Sequence, residues 1–326
     1  MSTNTVAPGA ARQADAPARR TLWQHLRRFV ARNGALLLMA LPGLSVLFVF
    51  SYMPMPGIVL AFKDYKAAHG IWGSAWVGFS NFQFLFGTDT AWRIIRNTLF
   101  INALFIISTL VVALTLALLL NEVIDSFIAK VYQSILFFPF FVSYVIVGYF
   151  VFIFLSSDAG IINSWLVQIG LKPVNWFNSP QYWPIILVIV NLWHNVGFNT
   201  IIYLAGLIAI NPEYYEAARL DGANKWQEIR YIQLPLLRPL IIINVLLAIG
   251  RIFFANFDLF INSTRMQGSL LSTTDVIDTY VFRTLTALGN FNMASAAGLF
   301  QAVAGFVLIV LANWIVRRVD PDQALF

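Results

Sequence analysis

Residues 212–239 read PEYYEAARLDGANKWQEIRYIQLPLLRP and lie between two long apolar runs. The stretch carries Glu213, Glu216, Arg219, Asp221, Lys225, Glu228, Arg230 and Arg238, eight charges in a chain where charged residues are only 11% of the total. A soluble domain has roughly one-quarter charged residues, so this composition marks an integral membrane protein. The 326 residues are 59% hydrophobic and 15% aromatic, with mean hydropathy +0.73. Apolar runs near or above the about 20 residues that cross a bilayer as helix predict one all-α membrane domain. Six transmembrane helices are expected, with the polar stretch as the loop between helices 4 and 5, and no separate soluble domain.

Working outward from the loop, span four is expected at about 183–209, with Pro184 in its first turn, and span five at about 240–260, interrupted by Arg251 and Asp258. Span three, about 131–155, contains Pro139, which predicts a kink. Span two is placed at about 98–120, followed by a short polar turn with Glu122 and Asp125; span six covers about 293–316 and ends at Arg317-Arg318. Span one, about 34–52, stops at Met53-Pro54-Met55-Pro56-Gly57, where two prolines disfavour further helix. Longer loops are expected at 58–97, 156–182 and 261–292, the first with short interfacial helices held by Trp72, Trp76, Phe79 and Phe82.

At the N-terminus, residues 1–18 are polar and Pro/Ala-rich, predicting a disordered tail, and 19–33 pattern as a basic amphipathic helix or a simple topology anchor. The membrane domain then spans 34–318, and 319–326 form a short tail. A cleavable signal peptide fits poorly, because the first apolar run starts only near Gly34. With the N-terminus inside, Lys and Arg divide thirteen inside against seven outside, with Arg251 within a span. Positive residues accumulate on the cytoplasmic side, so both termini and the polar loop are expected there. The net charge of +6 is accordingly a topology signal, and no nucleic-acid partner is expected. Cysteine is absent, which excludes disulfides and thiolate chemistry. The three histidines, at 25, 69 and 194, are scattered, so no metal site and no catalytic residues are expected.

Within the loop, Glu213, Ala217, Leu220 and Asn224 fall near one helical face and Gly222 interrupts it, predicting helix, bend, second short helix, then Leu234-Pro235. A bend between short helices favours a residue free to adopt positive φ, which accounts for Gly222. Pro235 and Pro239 are expected to fix where span five restarts. Glu216-Ala217-Ala218, then Gly222 after three residues, flanked by Asp221 and Ala223, and Ile232-Gln233-Leu234-Pro235 after nine more, resembles the EAA motif of permease subunits of bacterial ABC importers. Leu41-Pro42-Gly43, Tyr52 to Gly57, Gly78-Phe79-Ser80-Asn81-Phe82, Asn97-Thr98-Leu99 and the tail ending Leu325-Phe326 resemble the carbohydrate-uptake branch, and the subset serving complex oligosaccharides in particular.

That resemblance implies an inner-membrane permease of the type I ABC importer fold, paired with a second homologous permease. Two cytoplasmic ATPase subunits would bind ATP and Mg and grip the EAA loops, and an external solute-binding protein would deliver the oligosaccharide. The coupling residues it implies are Glu216, Ala217, Ala218, Asp221, Gly222, Ala223, Leu234 and Pro235. The chain has no GxxxxGK[ST], since its five lysines precede Asp64, Ala67, Val131, Pro173 and Trp226; any ATPase must therefore be another polypeptide, and no cofactor is expected in this one. Glu216 suits docking onto a basic residue of that motor, or alternatively a local pair with Arg219.

Two polar stripes mark where substrate could pass. Asn191, Asn195 and Asn199 repeat every fourth residue in span four, with His194 beside them. Lipid solvates amides poorly, so they face other helices as interhelical glue or line a wet path. In span five Asn244, Arg251 and Asp258 are seven apart, a drift of only about 20° per step. Arg251 is costly in a bilayer unless paired, with Asp258 or a partner permease, or wet. In a path its guanidinium would suit a carboxylated sugar, which makes uronate, alginate-like oligosaccharides the candidate cargo. Gln301 in span six is a further candidate, one turn from Gly298, while Gly298, Gly305, Ala312 and Ala294 form a small-residue packing face. Trp193 or Phe254 could stack on sugar rings.

Other classes fit less well. An ion-coupled secondary transporter should show inverted repeats and intramembrane acids, yet Asp258 is the only acid near a span. An intramembrane enzyme should show HExxH or GxSxG, and neither occurs.

Overall fold

The computed structural model describes residues 22–124, 126–157, 160–320 and 324. Its helices are α1 (Leu22–Leu47), α2 (Ser80–Phe86), α3 (Asp89–Asn121), α4 (Phe127–Phe137), α5 (Tyr144–Leu155), α6 (Ile161–Gln168), α7 (Trp183–Ile208), α8 (Pro212–Leu220), α9 (Lys225–Glu228), α10 (Leu234–Gly250), α11 (Phe257–Thr264), α12 (Ile277–Thr286) and α13 (Phe291–Val319). Single helical turns and a small antiparallel ribbon, β1 (Lys63–Asp64) with β2 (Ala75–Trp76), complete the connections. Among the described residues, five stretches are long and apolar enough to cross a membrane: Ala31–Phe62, Asp89–Asn121, Pro180–Ile208, Lys225–Gly250 and Phe291–Arg318. A bent pair, Phe127–Phe141 with Tyr144–Leu155, supplies the sixth. The chain is an all-α, multi-pass membrane protein.

The chain divides into two units, Met1–Gly57 and Ile58–Phe326. In the first, α1 breaks its helical geometry at Asn33 (φ −112°, ψ 17°) and runs into a π turn at Phe48–Tyr52. The tail 1–18 and the last residues, Leu325-Phe326, lie outside the described residues.

In the second unit α3 packs along α7, and two cores form where their apolar faces meet neighbours. Ile101, Phe105, Trp183, Leu187, Leu259 and Phe260 bury one end; Ala113, Ala117, Leu204, Leu207 and Leu237 bury the other. A Cβ added to Gly197 of α7 would fall on the Leu136 carbonyl of α4, so this contact needs glycine. The small face expected on span six packs in part: a Cβ on Gly305 would sit 3.1 Å from the Gly250 carbonyl and Ala294 is buried, whereas a Cβ on Gly298 would meet nothing within 4 Å.

Several boundaries differ from the expectations, each for a physical reason. Pro139 gives far more than a kink. The Phe138–Phe141 turn is 3-10, Val142 and Ser143 are extended, and the two arms of span three meet at 97°. Span five begins earlier and ends earlier than 240–260. Helix α9 continues through a π turn (Ile229–Gln233) into α10, where Pro235 occupies the tolerated first turn and Pro239 lies inside the helix. The two prolines therefore do not restart a helix. At the other end α10 stops at Gly250; Arg251 caps it and Asp258 belongs to the first turn of α11. The seven-residue stripe Asn244, Arg251, Asp258 therefore does not exist as one helical face. Span two begins at Asp89, nine residues before the expected Thr98. The expected loop 261–292 is largely helical, holding part of α11 and all of α12.

Candidate functional site

Local chemistry explains the shape of the polar stretch. Asn211 caps α8 by accepting from the Glu213 N–H at 3.1 Å, and Pro212 takes the first helical position, where no N–H is needed. The helix ends in a Schellman motif: Ala223 N–H donates to the Ala218 carbonyl at 2.9 Å and Gly222 N–H to the Arg219 carbonyl at 3.1 Å. That closure requires a left-handed residue, and Gly222 has φ +80°. The spacing of Ala218, Asp221, Gly222 and Ala223 is thus a helix-stop signal in its own right. Asn224 and Gln227 then form a capping box that starts α9.

The residues singled out in this stretch take distinct places. Glu216, Ala217, Asp221 and Gly222 are exposed; Ala218 and Ala223 are half-buried. Leu234 is half-buried and Pro235 exposed, both in the first turn of α10. Ala218, Asp221, Gly222 and Ala223 line a concavity of about 240 Å³ with Gln227, Glu228, Tyr231 and Ile232. Around it Leu220 is 89% exposed and Trp226 67%. Such exposed apolar side chains beside a carboxylate form a surface suited to a protein partner. Arg219 does not pair with Glu216. Its Nε donates to Glu228 Oε1 at 2.9 Å, which holds the Arg219 guanidinium above its ordinary value, and Glu216 is left on the open face. Burial pushes the Tyr215 hydroxyl up.

A second site lies between α3, α7 and α10. A cleft of about 390 Å³ is lined by Phe105, Ile106, Thr109 and Leu110 of α3, Asn191, Asn195, Asn199 and Tyr203 of α7, and Asn244, Val245 and Ala248 of α10, with Arg251 and Asn256 beyond. The structure thus brings together five of the seven residues proposed for a substrate path: Asn191, Asn195, Asn199, Asn244 and Arg251. Asn199 donates to the Asn195 carbonyl and Asn244 to the Leu240 carbonyl, both at 2.9 Å, four residues back in their own helices. Each side chain keeps a carbonyl oxygen and a second N–H for water or a ligand. Arg251 is exposed and makes no ion pair with Asp258 among the described residues.

His194 and Gln301 do not line the cleft; both are buried behind it. His194 Nε2 lies 2.9 Å from the Val142 carbonyl, an acceptor that the break in span three leaves without a helical partner. The ring stacks on Tyr144 with centroids 4.2 Å apart. The Tyr144 hydroxyl accepts from Asn195 Nδ2 at 3.2 Å and from Asn256 Nδ2 at 2.6 Å. His194 and Tyr144 together fasten the break to the cleft wall.

Gln301 fixes the segment after α10. Its Nε2 donates to the Phe253 carbonyl at 2.7 Å and to Asp278 Oδ2 at 3.1 Å, and the same carboxylate oxygen accepts the Ala255 N–H at 2.8 Å. Asn102 Nδ2 donates to the Ile252 carbonyl at 2.8 Å. These bonds from α3, α12 and α13 end α10 at Gly250 and hold Arg251 and Asn256 at the cleft. Burial pushes the Asp278 carboxyl above its usual range. Trp193 faces a different, wholly apolar pocket of about 330 Å³ with Val147, Phe150 and Ile189, away from the polar cleft.

Sequence reasoning missed Tyr144, Asn256 and the pairing of Glu228. Asn256 carried a signal: an Asn just before Phe257 and Asp258 is an N-cap pattern, and its Oδ1 does accept the Leu259 N–H. Tyr144 had none.

The chain matches the family described as binding-protein-dependent transport system inner membrane component over residues 109–324. It is similar to the polygalacturonan/rhamnogalacturonan transport system permease protein YteP of Bacillus subtilis (strain 168), 36% identical over 290 residues, 88% of this chain and 89% of the relative. It is also similar to the lactose transport system permease protein LacF of Rhizobium radiobacter, 26% identical over 90% of this chain and 97% of that one. A solved bacterial ABC transporter involved in the import of the acidic polysaccharide alginate contains a chain 35% identical to this one, with TM-score 0.83 over 91% of this chain and 99% of that chain. The EAA-like loop, the six-span architecture and these matches agree: the chain belongs to the family of binding-protein-dependent transport system inner membrane components, the permeases of ABC importers.

Proposed function

We propose that this chain is one permease of an ATP-driven importer that moves acidic oligosaccharides through the cleft between α3, α7 and α10. The observation that carries this reading is Arg251: an exposed guanidinium at the end of a cleft lined by five asparagines. Amides hydrogen-bond sugar hydroxyls, and a guanidinium pairs bidentately with a carboxylate. The importer similarity to alginate and polygalacturonan systems supports the same cargo class, since both of those names denote acidic polysaccharides. A related solved structure is an alginate ABC transporter in complex with an alginate pentasaccharide-bound periplasmic protein, which supports delivery by an external binding protein here.

In this reading a second homologous permease completes the path, and two ATPase subunits, which bind ATP and Mg, hold the 212–239 loop. The concavity around Gly222 and the exposed Glu216, Leu220 and Trp226 form the surface they grip. With Arg251 moved to the far end of α10, the Lys and Arg bias becomes thirteen against eight and still favours both termini and the loop inside the cytoplasm. Uptake by the reconstituted transporter tests the cargo assignment. Arg251→Gln should depress uptake of uronate oligosaccharides while sparing neutral ones; equal retention of both would remove the acidic-sugar assignment.

A further inference from the structure

The ion pairs of the polar stretch reach beyond it. Glu228, only 2% exposed, accepts from Arg219 at 2.9 Å and from Lys225 Nζ at 3.3 Å, and the same ammonium meets Glu122 Oε2 at 2.6 Å. Four charges therefore alternate in sign from α8 through α9 to the far end of α3. Glu122 is the C-cap of α3, a 33-residue helix. An anion there faces the negative end of the helix dipole and is unfavourable until a cation neutralises it. Lys225 is that cation, although it is about a hundred residues away in the chain. Helices α3 and α10 are two of the three walls of the cleft. The loop thus meets all three walls: covalently, back through residues 209–211 into α7 and on through Ile229–Gln233 into α10, and ionically, through Lys225 onto α3.

We propose that the Lys225–Glu122 pair is a third transmission link, beside the two covalent ones, which carries displacement of the docking loop to α3 so that all three walls move together. This rests on the reading that the ATPase holds the 212–239 loop. Lys225 and Glu122 are positioning residues: neither lines the cleft.

The test uses the complete transporter, with both permeases, the ATPases and the binding protein, in liposomes, and reads ATP hydrolysed per oligosaccharide imported. Glu122→Gln and Lys225→Gln should each leave the ATPase bound yet raise that ratio about two- to fivefold, the scale of an exposed ion pair. The double variant should be no worse than Lys225→Gln alone, because both changes cut one link. The chain has no cysteine, so Glu122→Cys with Lys225→Cys can be bridged by a short bis-maleimide, which should return the ratio toward the wild-type value. A wild-type ratio in both single variants, a double variant that multiplies their effects, or a bridged pair as uncoupled as the unbridged one overturns the link. If Glu216→Ala with Gly222→Pro leaves ATPase binding and the ratio intact, the docking reading falls instead.

Discussion

His194 Nε2 stands 2.9 Å from the Val142 carbonyl, across 52 residues of chain, and so occupies the acceptor that the break of span three sets free. In a bilayer that carbonyl has no water to turn to. His194→Ala should therefore lower the stability of the detergent-solubilised protein by about 1–3 kcal/mol. His194→Gln, which can present an N–H to the same carbonyl, should recover part of the loss. Thermal unfolding of the three proteins side by side checks this; equal melting of wild type and His194→Ala would show that the bond is dispensable.

Gly222 closes the Schellman motif at φ +80°, and a Cβ there would meet nothing within 4 Å. The cost of substitution is consequently backbone strain alone, about 1–2 kcal/mol for a non-glycine residue in the left-handed region. Gly222→Ala should insert normally and import slowly. Gly222→Pro also deletes the N–H that donates to Arg219 and should abolish import while the subunit remains in the membrane. Membrane-fraction abundance and uptake, measured together, separate the two effects.

At Gly197 the restriction is space instead. Gly197→Val would drive its side chain into the Leu136 carbonyl and separate α4 from α7. Destabilisation of about 1–3 kcal/mol or more is expected from such overpacking, visible as reduced yield and a lower melting temperature.

Asp278 provides a pH signature. Burial raises its folded value above the unfolded one, so its stabilising contribution is fully present below the usual carboxylate pKa of about 3.9 and is lost as pH rises through the folded value. At neutral pH the ionised group opposes folding. Asp278→Asn keeps an oxygen for the Ala255 and Gln301 donors and removes the charge, so it should melt at or above the wild-type temperature at pH 7 and flatten the acid-side dependence. Asp278→Ala, which strands those donors, should melt lower at every pH.

Legibility in the sequence followed the range of the interactions involved. The bend at Gly222 depends on residues 218–223 alone, and the stripe Asn191, Asn195, Asn199 on one regular helix; both were readable, and the cleft contains the stripe. The end of α10 was not. Ile249-Gly250-Arg251-Ile252-Phe253-Phe254 reads as continued span, and what ends the helix is the claim that Asn102 and Gln301 make on the Ile252 and Phe253 carbonyls from distant parts of the chain. Pro139 announced a deviation, yet its size came from Val142 and Ser143 turning extended with His194 waiting for the freed carbonyl. Glu122 and Lys225 carried no mutual signal, since nothing local to either residue specifies the other.

The anchors on 252–255 have a consequence for how such a protein diversifies. Asn102, Gln301 and Asp278 hold backbone atoms of the segment, and among the described residues none of them hydrogen-bonds or ion-pairs with the Arg251 side chain. The segment keeps its course whatever residue stands at 251. If cargo passes Arg251 as proposed, position 251 is an exchangeable cassette, at which one codon change would alter the charge met by cargo without charging the scaffold, and selectivity would drift faster than the fold that carries it.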